Sequence, residues 1–536
     1  MYIKSIILLV LLTLLSVITA FPCGHSHLSR NRTFNFVSYA NEEINDNTLR
    51  NTAEYHPLSF QIEYTYFDYY TKQLSQSYKN NMKKAIEKVT QYFGEILSVV
   101  SHQNYSFKAS MCYYNIFGDE IIQSSSDIVI FPLIQTQYQL GEGILASAIS
   151  CLVDDKSYRP VAGLLFLGDN YDFNSINADE YLHMLLIHEI SHILVFDSEL
   201  FRHFNITSPV LKTINIRDEQ KSIIITPKVV EKARFHFRCN SLEGVELESQ
   251  GGSGSAGSHW ESRIMLGDYM VSTDYDETVI SDITLALFED SGWYKVNYYT
   301  GGLFRFGKNE GCEFFSKKCI QQKETVFPLE FCSKQKSEGC TAGYLSKGEC
   351  YLGYFNNDLP KEYQYFSDPT HGGFTSADFC PVISNLLEKE YNGYLPLNCK
   401  TGYVTQSKYG EVIGDKSLCV EVNFDDDFMA ICYEMKCLSD SKGNRIEIKI
   451  KNQVVVCEQG EHKVKVKGFG TLYCPDYNRA CSGTEWCNEP LECIEYKSLM
   501  NSTIKYIEAN YGFDKGSFIN VNFALSIYLI FVFFIL

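Results

Sequence analysis

The distribution of cysteine along the chain is the feature that most constrains its folding. Only four of the nineteen cysteines precede residue 300, and fifteen lie between Cys312 and Cys493. A region of about 180 residues with that density is typical of a domain held together by disulfides in an oxidising compartment. The spacing Cys-x-x-Cys does not occur anywhere in the sequence, which argues against a zinc site built from cysteines.

Length, composition and charge narrow the class of protein further. At about 150 residues per domain, a chain of 536 residues is expected to form about three folding units. Its hydrophobic content of 45% excludes a disordered chain. The formal net charge of −18 argues against a nucleic-acid partner, because such a partner requires a basic face.

Both ends of the chain carry apolar segments typical of export and membrane attachment. Residues 1–20 place Lys4 before an apolar run that ends at Ala20, which predicts a signal peptide, with an uncleaved signal anchor as the alternative. Residues 501–536 join a polar spacer to an uncharged tail, which predicts a lipid (GPI) anchor signal, with a C-terminal membrane span as the alternative. We therefore expect a glycoprotein of the secretory pathway, held at the extracellular face of the cell surface.

Apolar periodicity predicts helices and strands within one core. A helix is expected over Tyr78–Val100 and another over Thr278–Ser291, the second ended by Gly292. Buried strands are expected at Asp127–Ile134, Ile144–Leu152 and Val161–Leu167. Helices and strands in one core indicate an α/β or α+β domain.

The segment LLIHEISHILVFD, from Leu185 to Asp197, combines an apolar helix with residues that bind metal ions. His188 and His192 are four positions apart, so on a helix they share one face, where both imidazoles can bind one zinc ion. Glu189 projects beside them and can act as a general base. The alternative is a buried helix with two core histidines, but HExxH is expected by chance only about 0.02 times in a chain of this composition.

A catalytic zinc ion also needs a third protein ligand and one open position. The candidates are His203, His236, His259 and a distant glutamate. His259 is the best placed, because it follows the glycine-rich loop GGSGSAGS (residues 251–258), which lets the backbone approach closely. His203 stands near a glycosylation sequon, and His236 lies in ARFHFRC, which suggests a strand beside a disulfide.

Several segments together resemble the leishmanolysin-type zinc metalloproteases of the metzincin clan. The matching segments are HEISH, SQGGSGSAGSHWESR, DYM, LALFEDSGWY, FGKNEGC and SAISCLVDDKSYRPVAGLLF. The resemblance implies a secreted or cell-surface metalloendopeptidase that cleaves proteins or peptides with one Zn²⁺ per chain. It also implies that His188, His192 and His259 bind the zinc ion, that Glu189 is the general base, and that Met270 forms the methionine turn beneath the metal.

The same resemblance implies an α+β fold. A metzincin-like catalytic domain, made of a mixed sheet and the active-site helix and split by an insertion, would precede a disulfide-rich C-terminal domain. The expected order is a signal peptide (1–20), a short prosegment (21–54), an N-terminal catalytic subdomain (55–197), an insertion with a C-terminal catalytic subdomain (198–310), a cysteine-rich domain (311–500), and a spacer with the anchor signal (501–536).

Cys23 is the candidate for a cysteine switch. Nineteen is an odd number, and setting Cys23 aside leaves eighteen cysteines, enough for nine disulfides. The family uses such a switch, and CGHSH resembles it, so the Cys23 thiolate would fill the open zinc position in an inactive precursor. The alternative is an unpaired thiol in an unstructured N-terminal segment.

One position departs from the family pattern. The family has glycine three residues after the second histidine, where this chain has Val195. A β-branched residue in the left-handed turn that glycine permits costs at least about 1–2 kcal/mol, so either the helix ends differently or the cleft is distorted. Two alternative functions follow: a catalytically weak or inactive surface adhesion or binding protein on this fold, and a zinc protease with a glutamate as the third ligand.

Overall fold

The computed structural model describes residues 34–37 and 55–481 with short gaps. The gaps fall at 72–73, 101–103, 141–143, 175–177, 251–255, 273–274, 276, 299–303, 335–336, 385–388, 391–392 and 395–396. The predicted signal peptide, Cys23 and the predicted anchor segment lie outside the described residues, as does most of the glycine-rich loop.

The N-terminal half is built around a five-stranded mixed sheet. Its strands, in spatial order, are Asn35–Val37, Ala146–Asp154, Pro160–Gly168, Ile128–Gln135 and Phe60–Ile62. The second and third strands form an antiparallel hairpin, and the other neighbours are parallel. The sequence predicts the three longest strands because a strand buried on both faces has a continuous apolar run.

The two faces of this sheet belong to two different cores. Along Ile128–Gln135, Ile130 and Ile134 enter the larger core, whereas Phe131 and Leu133 enter a smaller one on the opposite face. Two long helices, Gln76–Ile96 and Ala178–Leu194, contribute to the larger core. The second of them carries HEISH and is called the active-site helix below.

Gly163 allows the active-site helix to lie directly on the sheet. A Cβ atom at this position would stand 2.3 Å from Cγ2 of Ile193, far inside van der Waals contact. Ile193 directly follows His192, so this close approach lies next to a candidate metal ligand in the chain.

The first helix is shorter than its apolar pattern predicts. It spans Gln76–Ile96 and begins after Ser75, whose hydroxyl accepts a hydrogen bond of 3.1 Å from the backbone N–H of Tyr78. Leu97–Val100, predicted as helix, is a strand between Tyr55–Pro57 and Lys295–Val296. Its side chains alternate between buried and more exposed positions, the period of a strand.

Residues 198–310 contain a hairpin and two packed helices. The hairpin Leu211–Ile216 and Glu219–Ile224 pairs with the short strand Val245–Glu246. The helices span Pro227–Phe237 and Asp282–Asp290. The second starts later than predicted, because the hydroxyl of Ser281 caps it by accepting from the N–H of Thr284.

Two predictions for this part have clear outcomes. Gly292 adopts a φ of +75° just after the second helix, as expected of a helix-terminating glycine. The predicted strand around His236 is wrong, because His236 lies in the helix Pro227–Phe237. Val229, Ala233 and Phe237 are buried at a spacing of four, so the apolar residues there follow a helical period.

The C-terminal part is a six-stranded antiparallel sheet within a disulfide network. Its strands, in spatial order, are Gln453–Glu458, Gly443–Ile450, Asp427–Asp440, Ser417–Phe424, Gly470–Tyr473 and Lys463–Val466. The described residues form eight disulfides: Cys112–Cys151, Cys239–Cys312, Cys319–Cys380, Cys332–Cys350, Cys340–Cys419, Cys399–Cys432, Cys437–Cys481 and Cys457–Cys474. The predicted ninth would need Cys487 and Cys493, which lie outside the described residues.

Short elements connect these parts. The helical turns are Ala109–Met111, Gln137–Leu140, Ser198–Phe201, Ser262–Met265, Glu313–Ser316, Lys361–Tyr363, Thr375–Ala377, Ser407–Tyr409 and Tyr477–Ala480. Four pairs of short strands form two-stranded sheets: Tyr105–Lys108 with Ile121–Ser124, Ile320–Gln321 with Glu324–Thr325, Gly353–Tyr354 with His371–Gly372, and Lys389–Glu390 with Gly393–Tyr394. A three-stranded sheet has Lys347–Cys350 in the middle, between Glu338–Cys340 and Ile383–Ser384.

The predicted fold class is confirmed in its main terms. The chain is a mixed α+β protein with a disulfide-rich C-terminal region. The metzincin-like division of the catalytic part and the domain borders stay predictions. Along the described residues, no helix has the length and apolar composition needed to cross a bilayer.

Candidate metal centre

Three buried histidines converge on one point. His188 and His192 project from the active-site helix, and His259 approaches them from a segment 71 residues further along the chain than His188. The Nε2 atom of His188 lies 3.1 Å from Nε2 of His192 and 3.2 Å from Nε2 of His259. All three side chains are completely buried. In the part of the chain that the structure describes, these residues are the one group of histidine, cysteine or acidic side chains close enough to hold a metal ion.

The opposite nitrogen of each ring faces an acceptor. Nδ1 of His188 lies 2.6 Å from the carbonyl oxygen of Tyr269, and Nδ1 of His192 lies 2.7 Å from that of Phe196. A carbonyl oxygen only accepts hydrogen bonds, so these Nδ1 atoms carry the hydrogen. The neutral rings therefore keep their lone pairs on Nε2, where the three rings meet.

This arrangement fits a zinc ion. Unprotonated nitrogens at such short separations repel each other unless a cation lies between them. A tetrahedral zinc ion with bonds of about 2.0–2.1 Å holds its ligand atoms about 3.3 Å apart, close to the separations of 3.1 and 3.2 Å seen here. The histidines match the soft-to-borderline ligands that zinc prefers.

His259 is oriented by a carboxylate rather than by a carbonyl group. Oε2 of the buried Glu248 lies 3.5 Å from Nδ1 of His259, and Oε1 accepts a hydrogen bond of 2.7 Å from Ser272. The backbone N–H of Glu248 donates to the carbonyl oxygen of His259 at 2.9 Å. The two residues stand on either side of the glycine-rich loop, so the chain positions before and after the loop lie next to each other.

Met270 lies in a turn directly beside the histidines. Its side chain is completely buried, and its carbonyl oxygen accepts a hydrogen bond of 2.9 Å from the N–H of Trp260, next to His259. Tyr269, one residue before, provides the carbonyl oxygen that faces His188. Its hydroxyl lies 2.9 Å from that of Ser191 on the active-site helix. The turn thus contacts the active-site helix, which carries His188 and His192, and the segment that carries His259.

Asp268 holds this turn together. Its carboxylate accepts hydrogen bonds from the N–H of Met270 and the hydroxyl of Thr284, each 2.8 Å long, and from the N–H of Ser281. Thr284 in turn accepts a hydrogen bond of 2.7 Å from the indole of Trp260. Burial raises the pKa of Asp268 to about 6, although the hydrogen bonds from Ser281, Met270 and Thr284 oppose this rise.

Glu189 lies beside His188 on the active-site helix, and its side chain is completely buried. Like the three histidines, it is shielded from solvent. The role of Glu189 as general base stays a prediction.

The end of the active-site helix explains how Val195 is accommodated. Val195 is buried and has no positive φ, so it does not adopt the left-handed conformation that glycine permits. The helix ends instead with the N–H of Phe196 donating to the carbonyl oxygen of Ser191 at 2.8 Å. Asp197 then caps the next helical turn through the N–H of Glu199. The carbonyl group of Phe196 thereby points at His192, so the helix ends differently and the histidines still converge.

The other two candidate histidines lie elsewhere. The ring of His203 stacks on that of Tyr158, with centroids 4.4 Å apart. Nε2 of His236 donates to the carbonyl oxygen of Phe306 at 2.8 Å. Burial lowers the pKa of both histidines. Glu248, an acidic side chain next to His259, faces Nδ1 of that ring, on the side opposite Nε2.

Sequence reasoning missed the groups that orient the rings. Two of them, the carbonyl groups of Tyr269 and Phe196, belong to the backbone and carry no signal in residue type. Asp268 does carry one, because it is the acidic residue of LGDYM, two positions before the predicted Met270, and Glu248 alternates with apolar residues in VELES. A buried acidic residue needs a partner, and that rule points to both.

Comparison with known proteins shows which family of sequences this chain resembles. The model of the family described as Peptidase_M8, Leishmanolysin, matches residues 120–487. Leishmanolysin of Leishmania tropica is 26% identical over 361 residues, 64% of this chain and 53% of that protein. The Leishmanolysin homolog of Crithidia fasciculata is 26% identical over 405 residues, 71% of this chain and 58% of that protein. The Leishmanolysin-like peptidase of Drosophila melanogaster is 39% identical over 191 residues, 32% of this chain and 28% of its own length. The matches with the first two thus span little more than half of their lengths.

Proposed function

This chain belongs to the leishmanolysin family of peptidases, and on that premise we propose that it is a zinc metalloendopeptidase that cleaves internal bonds of proteins or peptides. The observation that carries the proposal is the convergence of three Nε2 atoms whose rings are held by acceptors on the opposite side. The residues proposed as zinc ligands are His188, His192 and His259.

The chemistry that zinc supplies in such a site is polarisation of a carbonyl group and a lowered pKa of water, to about 7. The transfer of the proton is assigned to a residue of the chain. Glu189 accepts the proton of the attacking water and delivers it to the leaving amine. Met270 lies in the turn whose backbone carbonyl groups contact His188 and Trp260, the residue after His259.

A single substitution tests the proposed base. Glu189→Gln keeps the size and shape of the side chain but cannot take up a proton. We expect zinc binding and folding to be retained, and peptide cleavage to fall by at least about 100-fold. Glu199→Gln is the matched control, because Glu199 is also a buried acidic residue in the next helical turn but is paired with Arg202, away from the histidines.

The outcomes separate the proposed function from its alternatives. Near-normal turnover by Glu189→Gln would remove that residue from the mechanism. A wild-type chain that binds zinc but cleaves no peptide in a broad library, after loss of the N-terminal prosegment, would favour the surface-binding alternative. Cleavage that persists without stoichiometric zinc would contradict the proposal as a whole.

We also propose that the chain matures in an oxidising compartment and acts in the secretory pathway or at the cell surface. Eight disulfides among the described residues support this, because such bonds rarely persist in the cytosol. Expression with and without a secretory route, followed by thiol counting, tests it. A folded, zinc-loaded protein with reduced cysteines would contradict the proposal.

A further inference from the structure

The disulfide-rich region contacts the loop that carries the third histidine. We propose that Tyr363 and Asp378 of that region act as positioning residues for His259, by holding both ends of the glycine-rich loop. This inference rests on the proposed function, because it assigns a role toward the same zinc site.

Contacts at the first end of the loop involve Ser249 and Gln250, which directly precede its glycines. The side-chain amide of Gln250 donates a hydrogen bond of 2.5 Å to the hydroxyl of Tyr363. The ammonium group of Lys221 donates to the hydroxyl of Ser249 at 2.7 Å. The hydroxyl of Tyr363 also donates to Glu219, in the strand that carries Lys221.

Contacts at the second end involve Glu261, two residues after His259. Its carboxylate lies 3.7 Å from Nζ of Lys221, and both side chains are completely buried. Nζ of the same lysine lies 2.5 Å from Oδ1 of Asp378. Lys221 therefore touches the residues on both sides of the loop, and Asp378 provides its nearest negative charge.

Asp378 is the nearest of the carboxylates that compensate the charge of Lys221, ahead of Glu219 at 3.2 Å. A fully buried ammonium group is strongly unfavourable unless acidic partners compensate it. Burial alone would raise the pKa of Asp378, but Lys221 and Arg217 outweigh that effect and hold the pKa below its usual value. Arg217 connects Asp378, at 3.2 Å, to the carboxylate of Glu246, which lies in the strand that leads into the loop.

Both positioning residues are themselves held in place. Tyr363 belongs to the helical turn Lys361–Tyr363, and it is buried against Phe379. The carbonyl oxygen of Asp378 accepts a hydrogen bond of 2.9 Å from Tyr365. Two residues later, Cys380 forms a disulfide with Cys319. The disulfide network therefore reaches a point two residues along the chain from Asp378.

A consequence for the zinc site follows from the origin of its ligands. His188 and His192 are fixed by one helix, whereas His259 depends on a loop whose two ends contact Lys221 and the disulfide-rich region. Loss of these contacts should displace only the third ligand. The disulfide-rich region is then part of the metal centre and not a separate module that only binds partners.

The test uses two conservative variants of the complete chain. Tyr363→Phe removes one hydroxyl, and Asp378→Asn keeps the shape of the side chain but removes its charge. We expect each to lower the affinity for Zn²⁺ by at least about 10-fold, and to change the visible absorption of the Co²⁺-substituted protein, which reports the number and geometry of ligands. Glu411→Gln is the control: it breaks the equally buried Lys347–Glu411 pair in the same region, which does not touch the loop.

A double-mutant cycle keeps the test independent of folding defects. Gln250→Leu removes the loop side of the contact with Tyr363, so its effect and that of Tyr363→Phe should not add. Wild-type affinity and spectrum in Tyr363→Phe and Gln250→Leu would overturn the inference, and so would an equal loss in Glu411→Gln. If the wild-type chain binds zinc but cleaves no peptide, the proposed function alone fails. If it binds no zinc, both fail.

Discussion

The Nδ1 atom of His188 lies 2.6 Å from the carbonyl oxygen of Tyr269, so a histidine on the active-site helix is oriented by the residue that immediately precedes Met270. His192 is oriented in the same way by the carbonyl oxygen of Phe196. The Nδ1 atom of His259 instead lies near a side chain, the carboxylate of Glu248. Mutation can therefore change the orienting group of one histidine without touching the backbone.

Glu248→Gln should weaken metal binding without unfolding the chain. The substitution keeps the hydrogen-bonding shape but removes the negative charge that faces Nδ1 of His259, so Nε2 becomes a poorer donor to a cation. Loss of such a partner lowers metal affinity by about 10–100-fold. Competition titration with a chromophoric zinc chelator measures this, with Ser272→Ala, which removes only the hydroxyl that contacts Glu248, as the milder comparison. Unchanged affinity in Glu248→Gln would show that the carboxylate is not needed for orientation.

Replacing single histidines should distinguish the three candidates for the third ligand. His259→Ala is expected to lower zinc affinity by at least about 10-fold and to abolish cleavage, because no other described histidine is close to the cluster. His203→Ala and His236→Ala should leave both properties largely intact, since their rings contact Tyr158 and the carbonyl group of Phe306 instead. Zinc loss in either of these two variants, with the fold intact, would contradict the assignment.

Gly163→Ala should destabilise the fold and disturb the metal centre together. A Cβ atom there would meet Cγ2 of Ile193 at 2.3 Å, and overpacking of this kind costs about 1–3 kcal/mol. The active-site helix would have to move away from the sheet, taking His192 with it. Thermal unfolding and zinc titration measure the two effects. The double variant Gly163→Ala/Ile193→Ala provides the control, because it removes the side-chain atoms that clash. If its loss of stability equals the sum of the losses in the two single variants, the clash is not the cause.

Asp268 should give the chain a characteristic dependence of stability on pH. Its pKa is about 6 when folded and about 3.9 in an unfolded chain, so the folded state binds this proton more tightly. The resulting stabilisation is fully present below about pH 4 and is lost as the pH rises through 6. Relative to Asp268→Asn, which does not titrate, the free energy of unfolding of the wild type should fall by up to about 3 kcal/mol between pH 4 and 7. Urea unfolding of metal-free protein measures the difference, and a constant difference across this range would contradict the pKa assigned to Asp268.

The sequence was most informative where one local rule determines the outcome. The spacing of His188 and His192 on an apolar helix is enough to place both rings on one face, and the continuous apolar run at Ile128–Gln135 is enough to indicate a strand buried on both sides. The glycine-rich loop before His259 indicated a close approach of backbone, and the structure brings that histidine to the other two.

Where tertiary contacts compete with local pattern, the sequence could not decide. Leu97–Val100 extends an apolar helical pattern, yet it forms a strand because two distant segments pair with it. The pattern around His236 suits a strand for a few residues and a helix over a longer window. The contact between Lys221 and Asp378 joins residues 157 positions apart, and no local rule predicts such a pair.

The disulfide Cys239–Cys312 closes a covalent ring of the chain around the segment that carries His259 and Met270. A peptidase is exposed to cleavage by its own copies, and the glycine-rich segment 251–258 lies within this ring. Within this ring, a cut at the loop opens the ring but releases no fragment, so both halves stay attached and can re-form the site. The protein would then run as one species on a non-reducing gel and as two after reduction, and a nicked preparation could still bind its metal.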